Sequence, residues 1–508
     1  MSHKEFFLEN NDSGNSNSSL EAAMMQRHRS SIEKPIAQEV LLVNTPPSLV
    51  PHPGDDYLSY DHNMPLGLVC VASYLVERGY SISILDSYAE NLGVFATVDR
   101  IFSGATLPRV IGFNSSSPNI HIVHKIASYI KRLRADIVIV CGGPHASLAT
   151  EHTLSTGGLD YAVVGEGEIP FFNLIRSLFE GPNSPSVEIP GVFSRQSGKV
   201  SGRMNNTFVD LAIMPVPRLD LLPLNRYFAI SRRIYIHTSR GCAFRCIYCS
   251  VPECWGRSVR QIPGDVIRSQ VNELLTRYKP VELQIVDDNF SHENGKFIRA
   301  FCGMRIEENW PVKWKCQVRA DLLDKATIEM MSKTGCFEVD LGIESGNPQI
   351  QQYIRKNLDL AKTLNTISLI NKLGISTKAF FMLGFPEETY IQLTDTINYS
   401  VELKNSGLKD VAFFPVMPFP GTEISKVTGK TVFQGAVIDD INVYEQTFAG
   451  YRLRKYSAKP EMSLNANFSP ETLRLLVKFA YQHFNDGVLV KNLKPEFEDF
   501  VEGEKVSR

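Results

Sequence analysis

The stretch Thr238-Ser-Arg-Gly-Cys-Ala-Phe-Arg-Cys-Ile-Tyr-Cys-Ser250 decides how the rest of this chain is read. It carries Cys242, Cys246 and Cys249 at the spacing C-x3-C-x2-C. With nine cysteines in 508 residues, chance would supply such a triple with an expectation of roughly 0.003, so composition does not account for it. Three thiolates on one tight loop can hold three irons of a 4Fe-4S cluster, which ordinarily takes four protein ligands. No fourth cysteine continues the spacing, so one iron is left to an outside ligand. A zinc site is the alternative. It asks for four ligands, usually in pairs, and the sequence places only Cys254 nearby.

Working outward, the domain that holds this loop opens at Arg233-Ile-Tyr-Ile-His237, a strand that runs straight into it. Further strands read at 281–286, 312–316, 338–341, 376–381 and 411–414. Helical spacing lies between them at 263–278, 294–306, 324–333, 361–373 and 391–403. Six β/α units predict an open, partial barrel, since closure takes eight. Its site is expected at the carboxyl ends of the strands, with a lateral mouth wide enough for a large substrate.

Upstream, short apolar strands read at Val40–Val43, Ser81–Leu85, Val110–Phe113, Ile137–Val140 and Tyr161–Val164, with helices such as Leu66–Arg78 and Ile120–Leu133 between. That alternation predicts a Rossmann-like, flavodoxin-like parallel sheet with ligands at its carboxyl edge. No G-x-G-x-x-G follows the first strand and no G-x-x-x-x-G-K-[ST] occurs, which disfavours a dinucleotide or nucleoside-triphosphate site. The α/β organisation expected is a disordered leader over 1–36, a ligand-binding sheet over 37–180, and a connector over 181–232 wrapping between domains. The barrel follows over 233–428, and a C-terminal helical region over 429–508 caps it. Pro470–His483 reads as an amphipathic helix, and the tail after Pro495 as loose.

A net charge of −2 implies no general affinity for polyanions. The cysteines do not form a secreted disulfide framework, no run of about 18 apolar residues occurs, and the N-terminus has no apolar signal core. A cytoplasmic protein with no membrane or nucleic-acid partner is expected.

The C-x3-C-x2-C loop with Tyr248 before its last cysteine resembles the radical S-adenosylmethionine enzymes. The sheet that precedes it is similar to the cobalamin-binding domain of one branch of them, the class B methyltransferase-like enzymes. The matching stretches are Met64-Pro-Leu-Gly-Leu68, Ser115-Ser-Ser117, Cys141-Gly-Gly-Pro-His145 and Val164-Gly-Glu-Gly-Glu168. The resemblance spans roughly residues 38–425. It implies three cofactors: the 4Fe-4S cluster on Cys242, Cys246 and Cys249, S-adenosylmethionine on its open iron, and cobalamin.

For S-adenosylmethionine it implies contacts from Tyr248, from Asp287 or Asp288 to the methionine ammonium, and from Arg319 to the carboxylate. Glu344 and Ser345 in Gly342-Ile-Glu-Ser-Gly346 would face the ribose. Gly384, in Gly384-Phe-Pro-Glu-Glu-Thr389, would lie near the adenine. A helix N-cap is an alternative for one of the two aspartates. For cobalamin it implies Leu66, Gly67, Ser115, Ser116, Gly142, Gly143, His145, Gly165 and Glu166. His145 fits a ligand-lining residue and a turn histidine equally. The D-x-H-x-x-G signature for a lower cobalt ligand is absent; Asp61-His62 comes near it with the wrong spacing.

The activity implied is methyl transfer to an unreactive carbon or to phosphorus of a small-molecule intermediate. A 5′-deoxyadenosyl radical would take a substrate hydrogen, and an external donor such as flavodoxin or ferredoxin would supply electrons. Radical cyclisation or rearrangement with the same cofactors is the alternative, and product mass separates the two. An RNA-modifying enzyme would carry a second cysteine triad upstream, where only Cys70 and Cys141 stand. The sheet could also be a flavodoxin-like module without a ligand, and the whole chain a non-catalytic sensor.

Overall fold

The computed structural model describes residues 13–28, 34–46, 56, 58, 63–155, 158–180, 188–431, 443–448, 451–456 and 463–506. Asp61-His62, singled out in the sequence, and residues 181–187 at the start of the expected connector lie outside the described residues. The chain divides into two compact units, residues 1–208 with 218–226, and residues 209–217 with 227–508.

In the first unit seven strands form one sheet: β1 (Ile36–Asn44), β2 (Ile82–Asp86), β3 (Leu107–Asn114), β4 (Val138–Gly142), β5 (Tyr161–Val163), β6 (Val192–Gln196) and β7 (Lys199–Gly202). Their order is β2-β1-β3-β4-β5-β6-β7, parallel through β5. This is the flavodoxin-like order, whose direction of winding switches between β1 and β3. The strands alternate with helices because the apolar period changes from runs to 3.6-residue stripes. In helix Ile120–Leu133, for example, Ile120, Val123, Ile126, Ala127 and Ile130 are all buried.

Three expectations need correction here. The leader is not without structure: Ser13–Arg27 is a helix. Its Met24 is 2% exposed in the apolar core, the Tyr129 hydroxyl donates to Glu21 at 3.1 Å, and His28 bonds Asp99 at 2.7 Å. Asn and Ser dominate this stretch and mask Met24 and Met25, which pack it on the core. The connector is not uniformly irregular either. It supplies the antiparallel hairpin β6–β7, turned by Ser197 (φ 48°) and Gly198 (φ 81°). Ser-Gly between alternating strands is a readable hairpin signal. The third concerns the C-terminal tail and belongs to the second unit.

There, β8 (Arg233–Ile236), β11 (Glu282–Ile285), β12 (Lys313–Val318), β13 (Cys336–Glu344), β14 (Ser376–Leu383) and β15 (Asp410–Pro415) form a six-stranded parallel sheet in sequence order, with helices between the strands. A short antiparallel pair, β9 (Ser239–Arg240) and β10 (Arg260–Gln261), brackets the cysteine loop. β16 (Val443–Phe448) and β17 (Tyr451–Tyr456) make a separate hairpin. Alternate residues face opposite sides of the sheet. One side is apolar and buried, as with Ile234, Leu283, Trp314, Leu341, Phe381 and Phe413. The other carries cross-strand ion pairs: Arg233–Glu282 at 2.8 Å, Lys315–Asp340 at 3.3 Å and Lys378–Asp410 at 2.9 Å. The tail expected to be loose is the helix Leu493–Val506, whose Phe497 meets Phe479 of helix Pro470–Asp486 edge-on at 5.8 Å. No described helix is long and apolar enough to cross a membrane.

Met24→Ala should lower the stability of the first unit by about 2–5 kcal/mol, the usual cost of emptying a core methionine site. Urea unfolding followed by circular dichroism measures it, and an unchanged midpoint would show that the N-terminal helix does not dock.

Candidate active site

The cysteine loop is fixed by groups other than its sulfurs. Gly241 has φ 92°, and a Cβ there would lie 2.4 Å from the Ser258 carbonyl oxygen, so only glycine allows the chain to turn here. The Ile247 N–H donates to the Ile354 carbonyl at 3.1 Å, and the Ile424 N–H donates back to the Ile247 carbonyl at 2.9 Å. The Ile247 side chain packs in an apolar cluster with Ile350, Ile354, Phe385, Val416 and Ile424. All nine cysteines are free, and six are buried; Cys242, Cys246 and Cys249 alone are partly exposed. Backbone N–H groups of Phe244 and Val251 point at the Cys242 and Cys249 sulfurs, while burial pushes the Cys249 thiol up to about 12 and raises that of Cys242. Such thiols ionise only against a cation, which is what a metal supplies.

These residues fit a cluster better than a single ion. Among the described residues no three His, Cys, Asp or Glu side chains converge on one metal position. Three corners of an iron-sulfur cube need sulfurs spread around it, one per iron, not converging on a point.

The two aspartates after β11 separate by role. Asp287 is 2% exposed and spends its carboxylate on the chain: Thr238 N at 2.7 Å, Thr238 Oγ1 at 2.5 Å and Ser239 Oγ at 2.7 Å. Burial pushes it to about 6 despite those donors. Asp288 accepts from the Gly241 N–H at 2.9 Å, close enough to Cys242 and Cys249 to raise their thiols. Arg319 forks onto Asp321 at 3.2 and 2.9 Å and lies 4.1 Å over the ring of Phe244, inside the cysteine loop. Its Nη1 is buried and has no partner among the described residues. An anionic ligand group is the natural complement.

At the end of β13, Glu344 holds φ 68° and receives Lys356 Nζ at 2.8 Å. Lys356 Nζ is also 3.5 Å from the Tyr248 hydroxyl. Burial and the Glu344 carboxylate hold the Tyr248 phenol well above its ordinary range. Ser345 is fully buried and bonded to Thr396 Oγ1 at 2.9 Å, so its hydroxyl supports the strand end. Gly384 (φ 90°) and Phe385 both donate to Glu388, at 2.7 and 3.1 Å. Asn465, from the C-terminal region, donates to the carbonyls of Phe385 and Glu388 at 2.7 and 2.8 Å. Lys356, Gln351 and Asn465 were not singled out in the sequence, where each is one ordinary polar residue outside any motif. Cys254, also near the loop, is buried.

In the first unit the loops at the carboxyl edge are stitched together. Asn119 donates to Thr45 at 2.8 Å, the Ser115 hydroxyl to the Gly142 carbonyl at 2.9 Å, and the Gly165 N–H to Ser147 at 2.9 Å. A Cβ on Gly67 or Gly165 would meet nothing within 4 Å, and one on Gly142 only Val163 at 3.8 Å. A Cβ on Gly143 would lie 2.3 Å from Asn114 Oδ1, so that glycine serves the fold. The space over Gly67 and Gly165 is thus open among the described residues. Leu66 and Glu166 are buried, and Ser116 is half-buried. His145 is placed inside: it is fully buried, with Nδ1 on Ser117 and Nε2 on His152, both at 2.9 Å. It bonds side chains where a turn histidine would bond backbone, and both ring nitrogens are engaged within the unit.

Burial pushes the Glu388 carboxyl from 4.5 up to about 8. The folded chain thus keeps a proton that the unfolded chain releases, and stability falls as pH climbs between those two values, by up to ~1.4 kcal/mol per pH unit, then levels off. Glu388→Gln removes that slope. Unfolding free energies should converge on the variant's favour between about pH 5 and 8, and parallel curves for the two proteins would rule the buried proton out.

Residues 59–175 match the B12 binding domain and residues 236–399 the Radical SAM superfamily. The chain is 27% identical over 437 residues to an uncharacterised methyltransferase of Pyrococcus horikoshii, covering 84% of this chain and 90% of that one. It is 25% identical over 476 residues to the cytidylyl-2-hydroxyethylphosphonate methyltransferase of Streptomyces wedmorensis, covering 81% and 85%. Its fold is similar to that of the radical S-adenosylmethionine methyltransferase TsrM from Kitasatospora setae, solved with tryptophan substrate and an S-adenosylmethionine analogue, at TM-score 0.64 and 19% identity, covering 77% and 76%. With a B12-binding domain ahead of a radical domain in one chain, the protein belongs to the cobalamin-binding branch of the radical S-adenosylmethionine enzymes.

Proposed function

We propose that this enzyme transfers a methyl group to an unactivated carbon, or to phosphorus, of a small-molecule biosynthetic intermediate. The observation that carries the reading is the grouping of the three partly exposed cysteines with Asp288, Arg319 and Glu344 at one end of a parallel sheet. The methyltransferase relatives support methyl transfer over rearrangement.

When bound, the reduced cluster supplies the electron that cleaves the sulfonium of S-adenosylmethionine, and cobalamin carries the methyl group. The residues of the chain do the rest. Cys242, Cys246 and Cys249 hold three irons. Asp288 takes the methionine ammonium and Arg319 Nη1 the carboxylate. Glu344 accepts from the ribose, Tyr248 closes against it, and the backbone from Gly384 onward flanks the base. Asp287 and Ser345 act behind these by fixing the loops that carry them. In the first unit Leu66, Gly67, Ser116, Gly142, Gly165 and Glu166 give the corrin its surface; Ser115, Gly143 and His145 shape the loops. The charged pairs on the inner face of the sheet favour a substrate with polar groups, since an apolar one would strand them dry. A flavodoxin or ferredoxin supplies the electrons.

Anaerobic protein reconstituted with iron, sulfide and hydroxocobalamin should turn brown. With a reductant and S-adenosylmethionine it should form 5′-deoxyadenosine and S-adenosylhomocysteine. Cys246→Ala should lose bound iron and abolish 5′-deoxyadenosine. A colourless preparation that retains zinc, or a Cys246→Ala protein that still cleaves S-adenosylmethionine, would overturn the assignment.

A further inference from the structure

We propose that Lys356 positions the nucleoside half of S-adenosylmethionine, by fixing the Glu344 carboxylate and tying it to the cluster loop through Tyr248. This rests on the S-adenosylmethionine reading above and adds a residue to it.

A lysine is seldom buried without an anion beside it. The Lys356 side chain is 8% exposed and its ammonium sits 2.8 Å from Glu344, itself 11% exposed. The backbone is bent to make this contact. Glu344 has φ 68°, and Arg355 and Asn357, on either side of the lysine, have φ 53° and 50°. Three non-glycine residues in the left-handed region around one ion pair is strain of the kind that functional sites retain. The space is reserved as well: a Cβ on Gly342 would lie 2.7 Å from both Glu344 Oε1 and Lys356 Nζ.

The turn that presents Lys356 is held by Gln351. Its side-chain amide donates to the carbonyls of Ile343 and Ser345 at 2.8 and 2.6 Å, and its Oε1 accepts from Leu358 N at 3.2 Å. The same turn is joined to the cysteine loop by the Ile247-to-Ile354 hydrogen bond. Lys356 therefore stands where three pieces meet: the end of β13, the turn after helix Pro348–Tyr353, and the loop that carries the cysteines. Its ammonium donates to Glu344 Oε1 at 2.8 Å and so fixes the orientation of the carboxylate that would accept from a ribose hydroxyl. Its second neighbour, the Tyr248 hydroxyl at 3.5 Å, is adjacent in sequence to Cys249. An ion pair with only a structural purpose would be replaceable by apolar residues at no loss of ligand affinity.

The test uses the reconstituted full chain and S-adenosylhomocysteine, which is redox-inert, with methionine as the ligand that lacks a ribose. Lys356→Met should keep its iron content and bind S-adenosylhomocysteine about tenfold more weakly, the usual loss for one charge-assisted hydrogen bond. Its affinity for methionine should not change, and Lys356→Arg should recover most of the loss. The change that S-adenosylmethionine makes in the electron paramagnetic resonance spectrum of the reduced cluster should need higher ligand concentration in Lys356→Met. Unaltered S-adenosylhomocysteine affinity, or equal losses for both ligands, overturns the proposal. If Lys356→Met fails to hold a cluster, the Glu344→Gln/Lys356→Met double variant removes both buried charges. It should hold the cluster and bind S-adenosylhomocysteine no more weakly than Glu344→Gln alone. A further loss in the double variant, or wild-type affinity in it, also overturns the proposal. A wild-type protein that binds S-adenosylhomocysteine no better than methionine would instead sink the cofactor reading itself.

Discussion

A loop that presents three cysteines outward cannot use its own sulfurs to hold its shape. Here the carboxylate of Asp287 does most of that shaping. It is buried, which opposes ionisation, and three donors from Thr238 and Ser239 partly offset the cost. The result pins the exit of β8 against the exit of β11 at the point where the cysteine loop departs. Ile247 supplies the second anchor, through a backbone hydrogen bond on each side and an apolar socket. Between those anchors the loop is free to present Cys242, Cys246 and Cys249 outward. The geometry of the site follows from this constraint: Asp288, Arg319 and Tyr248 all take their positions from groups bonded to that loop or packed on it.

The same division between supporting and presenting groups recurs in the first unit. Its carboxyl-edge loops are held to one another by Thr45, Ser115, Asn119 and Ser147. His145 belongs with the supports. Shut between Ser117 and His152 and fully buried, it is driven by burial down to about 3, so it is neutral at any ordinary pH. A neutral histidine bonded at both nitrogens is a strut beside the Gly142–Gly143 turn, and it brings no charge to the loops it supports.

Much of this could be read from the chain because its signals are local. The cysteine spacing, the two sets of strands and the order of the polar fragments at strand ends all lie within short windows, and the helix Ile120–Leu133 has the bounds its periodicity implies. What the sequence does not disclose is which member of a like pair is spent. Asp287 and Asp288 are neighbours of the same type, and only the third dimension assigns one to Thr238 and the other to the cysteine side. Lys356 and Gln351 act through partners on other elements, Glu344 and Ile343 close in sequence and Tyr248 far upstream, with no motif to mark them. The N-terminal helix was hidden because one buried methionine outweighs a polar composition, and hairpin β6–β7 because its Ser-Gly turn stood among residues that read as irregular.

The C-terminal region matches none of the motifs, yet it reaches the most exacting turn in the second unit. Asn465 donates to two carbonyls of the Phe385–Glu388 turn, and a Cβ on Gly384 would lie 2.7 Å from Leu473. Glu388, enclosed there, accepts two backbone N–H groups and has its other oxygen buried without a partner among the described residues. A protonated carboxyl suits that enclosure, because a charge would have to be desolvated with only two donors to compensate. The Gly384–Glu388 turn is therefore finished by residues far from it in sequence. The C-terminal region is thus held to the sheet by the amide of Asn465, by Leu473 against Gly384 and by the Tyr481 hydroxyl, which accepts from the Phe413 N–H at 3.1 Å.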